Sequence, residues 1–408
     1  MNTHKYLSNG AWRIPLAMLA GLLAGAQASA AQSVRIGIVA DMSGVYADVS
    51  GAGVVHGATL AAQDFMQRNP GWKVEILAAD HQNKADIASA RAREWIDREN
   101  VDMVMNGANS ATGLAVAGVA AEKHRVNFDV GAATTRLSNE SCTPYTVQYV
   151  YDTYMLSHAT ASALVKHGGK RWFFLTADYA FGHSLEADTS KTVTQSGGEV
   201  LGAVRHPVNT PDFSSYLLQA QSSHADVIGL ANAGGDTINA IKTANEFGLT
   251  GQQKLAGLLL FINDIDSLTL PVAKNMYLTT AWYWDLNDDT RAFGKRYFQK
   301  MKRMPNMAQA GAYSAVSTYL EATLKTGSKD ADAVMKTLKS MTIQDMFTRS
   351  GKIRADGRMV HEAYLMRVKQ PDQSRYPWDY YDIVETIAAE DTVLPLAQSR
   401  CPLLGTPG

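Results

Sequence analysis

The sequence predicts an α/β protein made of two doubly wound parallel-sheet lobes. Two observations carry that reading. Short apolar runs alternate with segments of helical spacing, and repeated strand–helix–strand units imply parallel sheets covered by helices on both faces. The alternation also falls into two successive series, one from Val34 to Val130 and one from Met155 to Leu260, which favours two lobes over one barrel. With 408 residues, 46% hydrophobic and 19% charged, the chain is long enough to bury more than one sizeable core.

In the first series, Val34–Val39 reads as a strand ending in the turn-prone Asp41-Met42-Ser43-Gly44. Gly53–Gln67 has helical spacing (Val54, Ala58, Ala61, Ala62, Phe65) and is stopped by Asn69-Pro70-Gly71. Lys73–Ala79 is the next strand, Ala85–Arg98 a helix, Asp102–Met105 a strand, Ala111–Lys123 a helix and Val126–Val130 a strand. In the second series, helices are predicted over Met155–Lys166, Leu185–Gln195, Phe213–Gln221 and Thr237–Phe247. Strands are predicted over Arg171–Thr176, Glu199–Val204, Asp226–Leu230 and Lys254–Leu260. A further strand lies near Asn275–Thr280, Asp288–Leu338 is mainly helical, and Ile353–Val368 is a hairpin around Asp356-Gly357.

The first 30 residues stand outside this pattern. Lys5 and Arg13 precede an apolar run from Ile14 to Ala26, and Ala28-Ser29-Ala30 follows. That order is a cleaved secretory signal, and the run is too short to span a bilayer. Removing those two basic residues leaves 36 against 39 acidic ones, a net charge of −3. The balance excludes the basic face a nucleic-acid binder needs. Export also changes the meaning of Cys142 and Cys401, the only two cysteines. In an oxidising compartment the pair is expected to form a disulfide, the alternative being two buried thiols.

Enzyme readings find little support. The G-x-S-x-G elbow, H-E-x-x-H and the P-loop are absent, and the ten histidines lack metal-ligand spacing. His81 beside Asp80 is the nearest approach, and it reads as a strand end. Gly51-Ala52-Gly53 with Gly57, followed by Asp80, imitates a dinucleotide fingerprint. The glycines, however, lie too far beyond the first strand to form its tight turn. No catalytic residue, cofactor or metal is assigned.

In open parallel sheets, ligands bind outside the carboxyl ends of the strands. Those ends carry Ser43-Gly44-Val45-Tyr46, Asn109-Ser110-Ala111-Thr112 and Gly131-Ala132-Ala133-Thr134-Thr135. Ser110 falls at a helix N-terminus, where N–H groups and the dipole favour an anion. Ser110 and Thr134 are equally read as simple N-caps. The second series contributes Asp178-Tyr179-Ala180-Phe181-Gly182 and Trp282-Tyr283-Trp284, aromatic at strand ends, where core packing is the alternative.

Six segments in order, DMSGVYADVSG (41–51), NGANSATG (106–113), VGAATTRLSNESC (130–142), TADYAFGHSLE (176–186), GLANAGGDTINAIKTANEFGL (229–249) and WYWDLNDDTRAFGKRYF (282–298), carry a resemblance across essentially the whole chain. It resembles the type I periplasmic solute-binding proteins of ABC importers, in the branched-chain amino-acid (leucine/isoleucine/valine) binding family. TADYAFG and ANAGGD are most similar to a branch that takes up aromatic and other small carboxylates. The resemblance implies a three-stranded hinge between lobe 1 (31–152 plus 283–356) and lobe 2 (153–282 plus 357–408). It implies that Ser110, Ala132 and Thr134 hold a ligand carboxylate, and that Tyr46 and Phe181 wall the side-chain pocket with Tyr179 opposite. Asn109, Phe261 and Trp282 complete the candidate set. Where the amino-acid binders present a glutamate to the ligand ammonium, this chain reads Leu258-Leu259-Leu260-Phe261, leaving Asp236 or Asp264 as substitutes. The implied protein is a periplasmic monomer that captures a small carboxylate and delivers it to an inner-membrane ABC permease. A sensor docking on a receptor kinase is the alternative.

Overall fold

The computed structural model describes residues 1–5 and 32–405, so the apolar part of the predicted leader lies outside the described residues. The first lobe opens with β1 (Gln32–Ala40), α1 (Gly51–Arg68), β2 (Trp72–Asp80), α2 (Ala85–Arg98), β3 (Met103–Asn106), α3 (Ser110–Glu122), β4 (Val126–Asp129) and β5 (Thr146–Gln148). Its five strands pair in the order β2-β1-β3-β4-β5, all parallel. The second lobe follows with α4 (Thr153–Lys166), β6 (Arg171–Ala177), α5 (Ala180–Gln195), β7 (Glu199–His206), α6 (Ser214–Ser222), β8 (Val227–Ala231), α7 (Gly234–Glu246) and β9 (Lys254–Gly257). These strands form the parallel sheet β7-β6-β8-β9. Every residue of the inner strands β3 and β8 is buried, whereas the edge strand β7 is largely exposed. Helices covering both faces explain the uninterrupted apolar runs of the inner strands.

After α8 (Ile262–Leu268), α9 (Leu270–Ala273) and β10 (Tyr277–Thr280), the chain returns to lobe 1 with α10 (Asp288–Met301), α11 (Met307–Thr326) and α12 (Ala331–Ser340). The long helix α11 packs along α1. A short hairpin of β11 (Lys352–Ile353) and β12 (Met359–Val360) turns at Asp356-Gly357. Then β13 (Ala363–Val368) and β14 (Tyr381–Ile387) join β10 in an antiparallel sheet, β10-β13-β14. The hairpin predicted over 353–368 is therefore shorter, because β13 leaves it to pair with β10.

Three connections join the lobes: after β5, after β10 and after β12. A buried ion pair ties the first to the third. The Arg358 Nε donates to Asp152 Oδ2 at 2.9 Å, and its Nη1 donates to the carbonyls of Gln148 and Met359. Asp152 also caps α4 by accepting the Met155 N–H. Gln148 and Arg358 form a bridge beside β5. We therefore place the third connection at His361–Glu362, a few residues later than the 356/357 boundary read from the sequence.

The C-terminal tail also departs from that boundary. Cys142 and Cys401 are joined in a disulfide, with Cα atoms 5.6 Å apart and 259 residues between them in sequence. The Arg400 N–H donates to the Asn139 side chain, and the Arg400 guanidinium reaches Glu140. The tail thus starts from β14 in lobe 2 and ends clamped to lobe 1. Thiol labelling of denatured, unreduced protein should leave both cysteines unmodified. Cys401→Ser should lower stability by up to about 5 kcal/mol, the chain-entropy value for so long a loop. Free thiols in denatured, unreduced protein would contradict the bridge.

Candidate ligand-binding site

The carboxyl ends of both parallel sheets face one another, and their loops line a small cavity between the lobes. Three loops of lobe 1 supply one side. The loop after β1 is organised by buried Asp41: Oδ1 accepts the Gly44 N–H at 2.7 Å, and Oδ2 accepts the Tyr46 N–H at 2.9 Å. The Asn83 amide also donates to Asp41, at 2.6 Å. This arrangement turns the Tyr46 ring into the cavity. The loop after β4 is organised in the same way by Asp129, whose Oδ1 accepts the N–H groups of Gly131 and Ala132. Burial pushes Asp129 up to about 7 against the pull of those donors. Gly131 touches the Gly107 carbonyl so closely that any side chain there would displace one loop.

Between these loops lies the N-terminus of α3. The Asn109 Oδ1 caps it by accepting the Ala111 and Thr112 N–H groups, and its amide donates to Asn83. Ser110, the first residue of α3, lines the cavity, and its Oγ accepts the Thr134 N–H at 3.1 Å. Among the described residues the N–H groups of Ser110 and Ala133 have no protein acceptor, and both residues line the cavity. These unengaged donors stand beside the positive end of a 13-residue helix, an environment that favours negative charge.

Lobe 2 contributes the aromatic walls. Tyr179 precedes α5 and Phe181 lies in its first turn, with ring centroids 5.9 Å apart. The predicted start of that helix at Leu185 is late by five residues, because Gly182-His183-Ser184 breaks the apolar spacing between Phe181 and Leu185. Phe261 lines the cavity from the loop after β9, edge-on to Tyr151 at 6.1 Å. Tyr151 has its hydroxyl donating to the Gly131 carbonyl. It was missed as a site residue because the strand before it, β5, has three residues and leaves no periodic signal. Burial raises the hydroxyl pKa of Tyr46, Tyr151 and Tyr179, so all three stay neutral; the Tyr151 hydrogen is given to Gly131 and one of the other two is used in the Tyr46–Tyr179 bond.

Tyr46, Asn109, Ser110, Tyr179, Phe181 and Phe261 therefore meet at the cavity, and four other predicted residues do not line it. Ala132 packs its methyl with Ala117 and Leu137, and its N–H is taken by Asp129; Ala133 faces the cavity instead. Thr134 binds across the cleft, its Oγ1 2.7 Å from the Ser184 Oγ. Trp282 stands behind Phe261, its indole N–H donating to the Met346 carbonyl. Asp236 is occupied by the N–H groups of Asn209 and Thr210, and burial raises it to about 6. Asp264, the other candidate ammonium partner, accepts the Phe261 N–H at the start of α8, and burial raises it to about 7. Asp80, the acid of the rejected dinucleotide pattern, holds the Met42 and Gln82 N–H groups and the Ser43 hydroxyl.

Two parallel-sheet lobes closing strand ends on a small cavity define a cleft-type ligand-binding architecture. The chain belongs to the periplasmic binding protein family, whose model matches residues 33–374. It is similar to a periplasmic binding protein of Burkholderia mallei, at 53% identity over 91% of this chain and 99% of that one, with a TM-score of 0.90. It is also similar to a branched-chain amino-acid ABC transporter periplasmic ligand-binding protein of Burkholderia xenovorans LB400. There the identity is 39%, the same shares are covered and the TM-score is 0.80. A solute-binding protein of an R. palustris ABC transporter, in complex with benzoate, shares the fold at 19% identity over 91% and 100% of the two chains, with a TM-score of 0.80.

Because Asp264 titrates above the ordinary carboxylate range when folded, its contribution to stability is full at low pH and is lost as pH rises through about 7. Asp264→Asn keeps an oxygen acceptor for Phe261 and removes the titration. It should flatten the decline in unfolding free energy between about pH 4 and 7, measured by urea titration. An unchanged slope would contradict this role.

Proposed function

We propose that this protein is the ligand-capturing component of an ABC importer. It closes two lobes over a small carboxylate with an aromatic or branched apolar part and delivers it to the membrane permease from the periplasm. The observation that supports the ligand class is the composition of the cavity. It offers the Ser110 hydroxyl, the N–H groups of Ser110 and Ala133 and the one phenolic hydrogen that the Tyr46–Tyr179 bond leaves over, with Phe181 and Phe261 as apolar walls. Among the described residues, none that lines it carries a carboxylate. An ammonium buried there would lack an anionic partner, at a cost of several kcal/mol. The reading therefore favours aromatic acids and 2-oxo acids over amino acids. The relative that is named for branched-chain amino acids keeps leucine and valine in the panel to be measured.

Calorimetry across benzoates, phenylpropenoates, branched-chain 2-oxo acids, amino acids and their methyl esters tests this. The acids should bind and the neutral esters should not. Ser110→Ala should weaken all acid ligands by a similar factor, roughly 10- to 150-fold, as expected for a hydrogen bond to a charged group. Phe181→Ala should instead reorder the acids among themselves, since it alters shape and leaves the anion donors in place. Equal affinity for an acid and its ester would contradict the carboxylate site. A preference for leucine over its 2-oxo acid would contradict the missing ammonium partner.

A further inference from the structure

The lobes touch across the mouth of the cavity through a contact that the ligand reading does not use. Helix α7 has 13 residues and begins without a side-chain cap, its N-cap residue being Ala233. One of its first-turn donors is instead satisfied from the other lobe: the Gly235 N–H donates to the Val45 carbonyl at 3.0 Å. Val45 lies between the two N–H groups that Asp41 holds, those of Gly44 and Tyr46, so its carbonyl is presented on a fixed loop. The positive end of α7 therefore meets a carbonyl dipole.

The two glycines at this point have different surroundings. Gly234 has φ +58°, and a Cβ there would lie 2.5 Å from the Val45 oxygen and 3.1 Å from the Tyr46 ring. A Cβ on Gly235 would stand 3.6 Å from its nearest neighbour, an ordinary contact. Tyr46 itself spans the cleft, its hydroxyl 2.9 Å from that of Tyr179. One loop of lobe 1 thus supplies both a wall of the cavity and the surface against which lobe 2 closes.

We infer that the Val45–Gly235 hydrogen bond is the latch of the closed protein, and that Gly234 is the positioning residue whose missing side chain lets it form. The inference rests on the reading that ligand is held between the lobes. It adds that affinity is set partly by the missing side chain of Gly234 and the N–H of Gly235, neither of which need touch the ligand. In the open protein the α7 donor faces water and loses nothing, so the latch slows release without contributing to encounter.

The test compares Gly234→Ala, Gly234→Asn and Gly235→Ala, with benzoate as the probe and stopped-flow protein fluorescence as the readout. Asparagine tolerates positive φ but carries a Cβ, so it separates backbone strain from obstruction of the latch. Both Gly234 variants should release benzoate faster, by roughly 2- to 12-fold for one lost hydrogen bond, with association unchanged within about twofold. Gly235→Ala should match the parent. Recovery of parental release in Gly234→Asn, or equal damage in Gly235→Ala, would overturn the inference. If the parent fails to bind benzoate, the ligand class is at fault and the latch is read without ligand. Dyes on Lys73→Cys and Gln219→Cys, both exposed positions in opposite lobes, report the closed fraction by energy transfer. Gly234→Ala should shift that fraction toward open, and identical transfer in parent and variant would overturn the inference.

Discussion

The site depends on buried aspartates that bind the protein's own backbone. Asp41 and Asp129 stand just after β1 and at the end of β4, and each accepts N–H groups from the loop that follows it. Side chains so placed fix the course of both loops, because each carboxyl accepts two backbone N–H groups of the loop that follows it. Both side chains are buried and turned into loop hydrogen bonding, so neither is left to face a ligand. Asp236 and Asp264 do the same in lobe 2. The result is a cavity rich in donors and aromatic surface, in which charge has to come from the ligand.

The same economy of groups governs closure. Residues that touch across the cleft are mostly hydroxyls and backbone groups: Tyr46 with Tyr179, Thr134 with Ser184 and Gly235 with Val45, with Thr135 donating to Asp188 beside them. Such contacts are individually weak, about 0.5–1.5 kcal/mol each, and so they form and break with ligand exchange. The hinge is built differently. The Arg358–Asp152 pair is buried, and losing one partner would strand the other charge. Asn306 adds a second buried link, donating to the Val49 carbonyl in lobe 1 and to Asn263 in lobe 2. The clamp of Cys401 on Cys142 adds a covalent tie on the tail. Strong interactions at the pivot and weak ones at the mouth allow rotation without loss of register.

Much of this was legible in the sequence wherever periodicity was long. The limits of α2 match the reading from Ala85 to Arg98, and the apolar runs of the buried strands marked both sheets. The strand-end loops were legible for the same reason, since topology fixes where a parallel sheet opens. Individual donors were not. Whether Ala132 or Ala133 faces the cavity depends on which N–H Asp129 accepts, and adjacent alanines carry no pattern. Tyr151 follows a strand too short to read. Asp264 was legible as an acid near the cleft but not as a helix cap, because its partner is the backbone of Phe261. Thr134 was placed at the strand-end loop, yet its hydroxyl binds Ser184 of the opposing lobe, a partner that no local pattern marks.

The cavity is proposed to hold an anion and to offer no partner to an ammonium. Native mass spectrometry of gently purified protein, followed by identification of the released small molecule, tests it most directly. A bound acid without an amino group is the predicted result. A co-purified leucine, isoleucine or valine would contradict it.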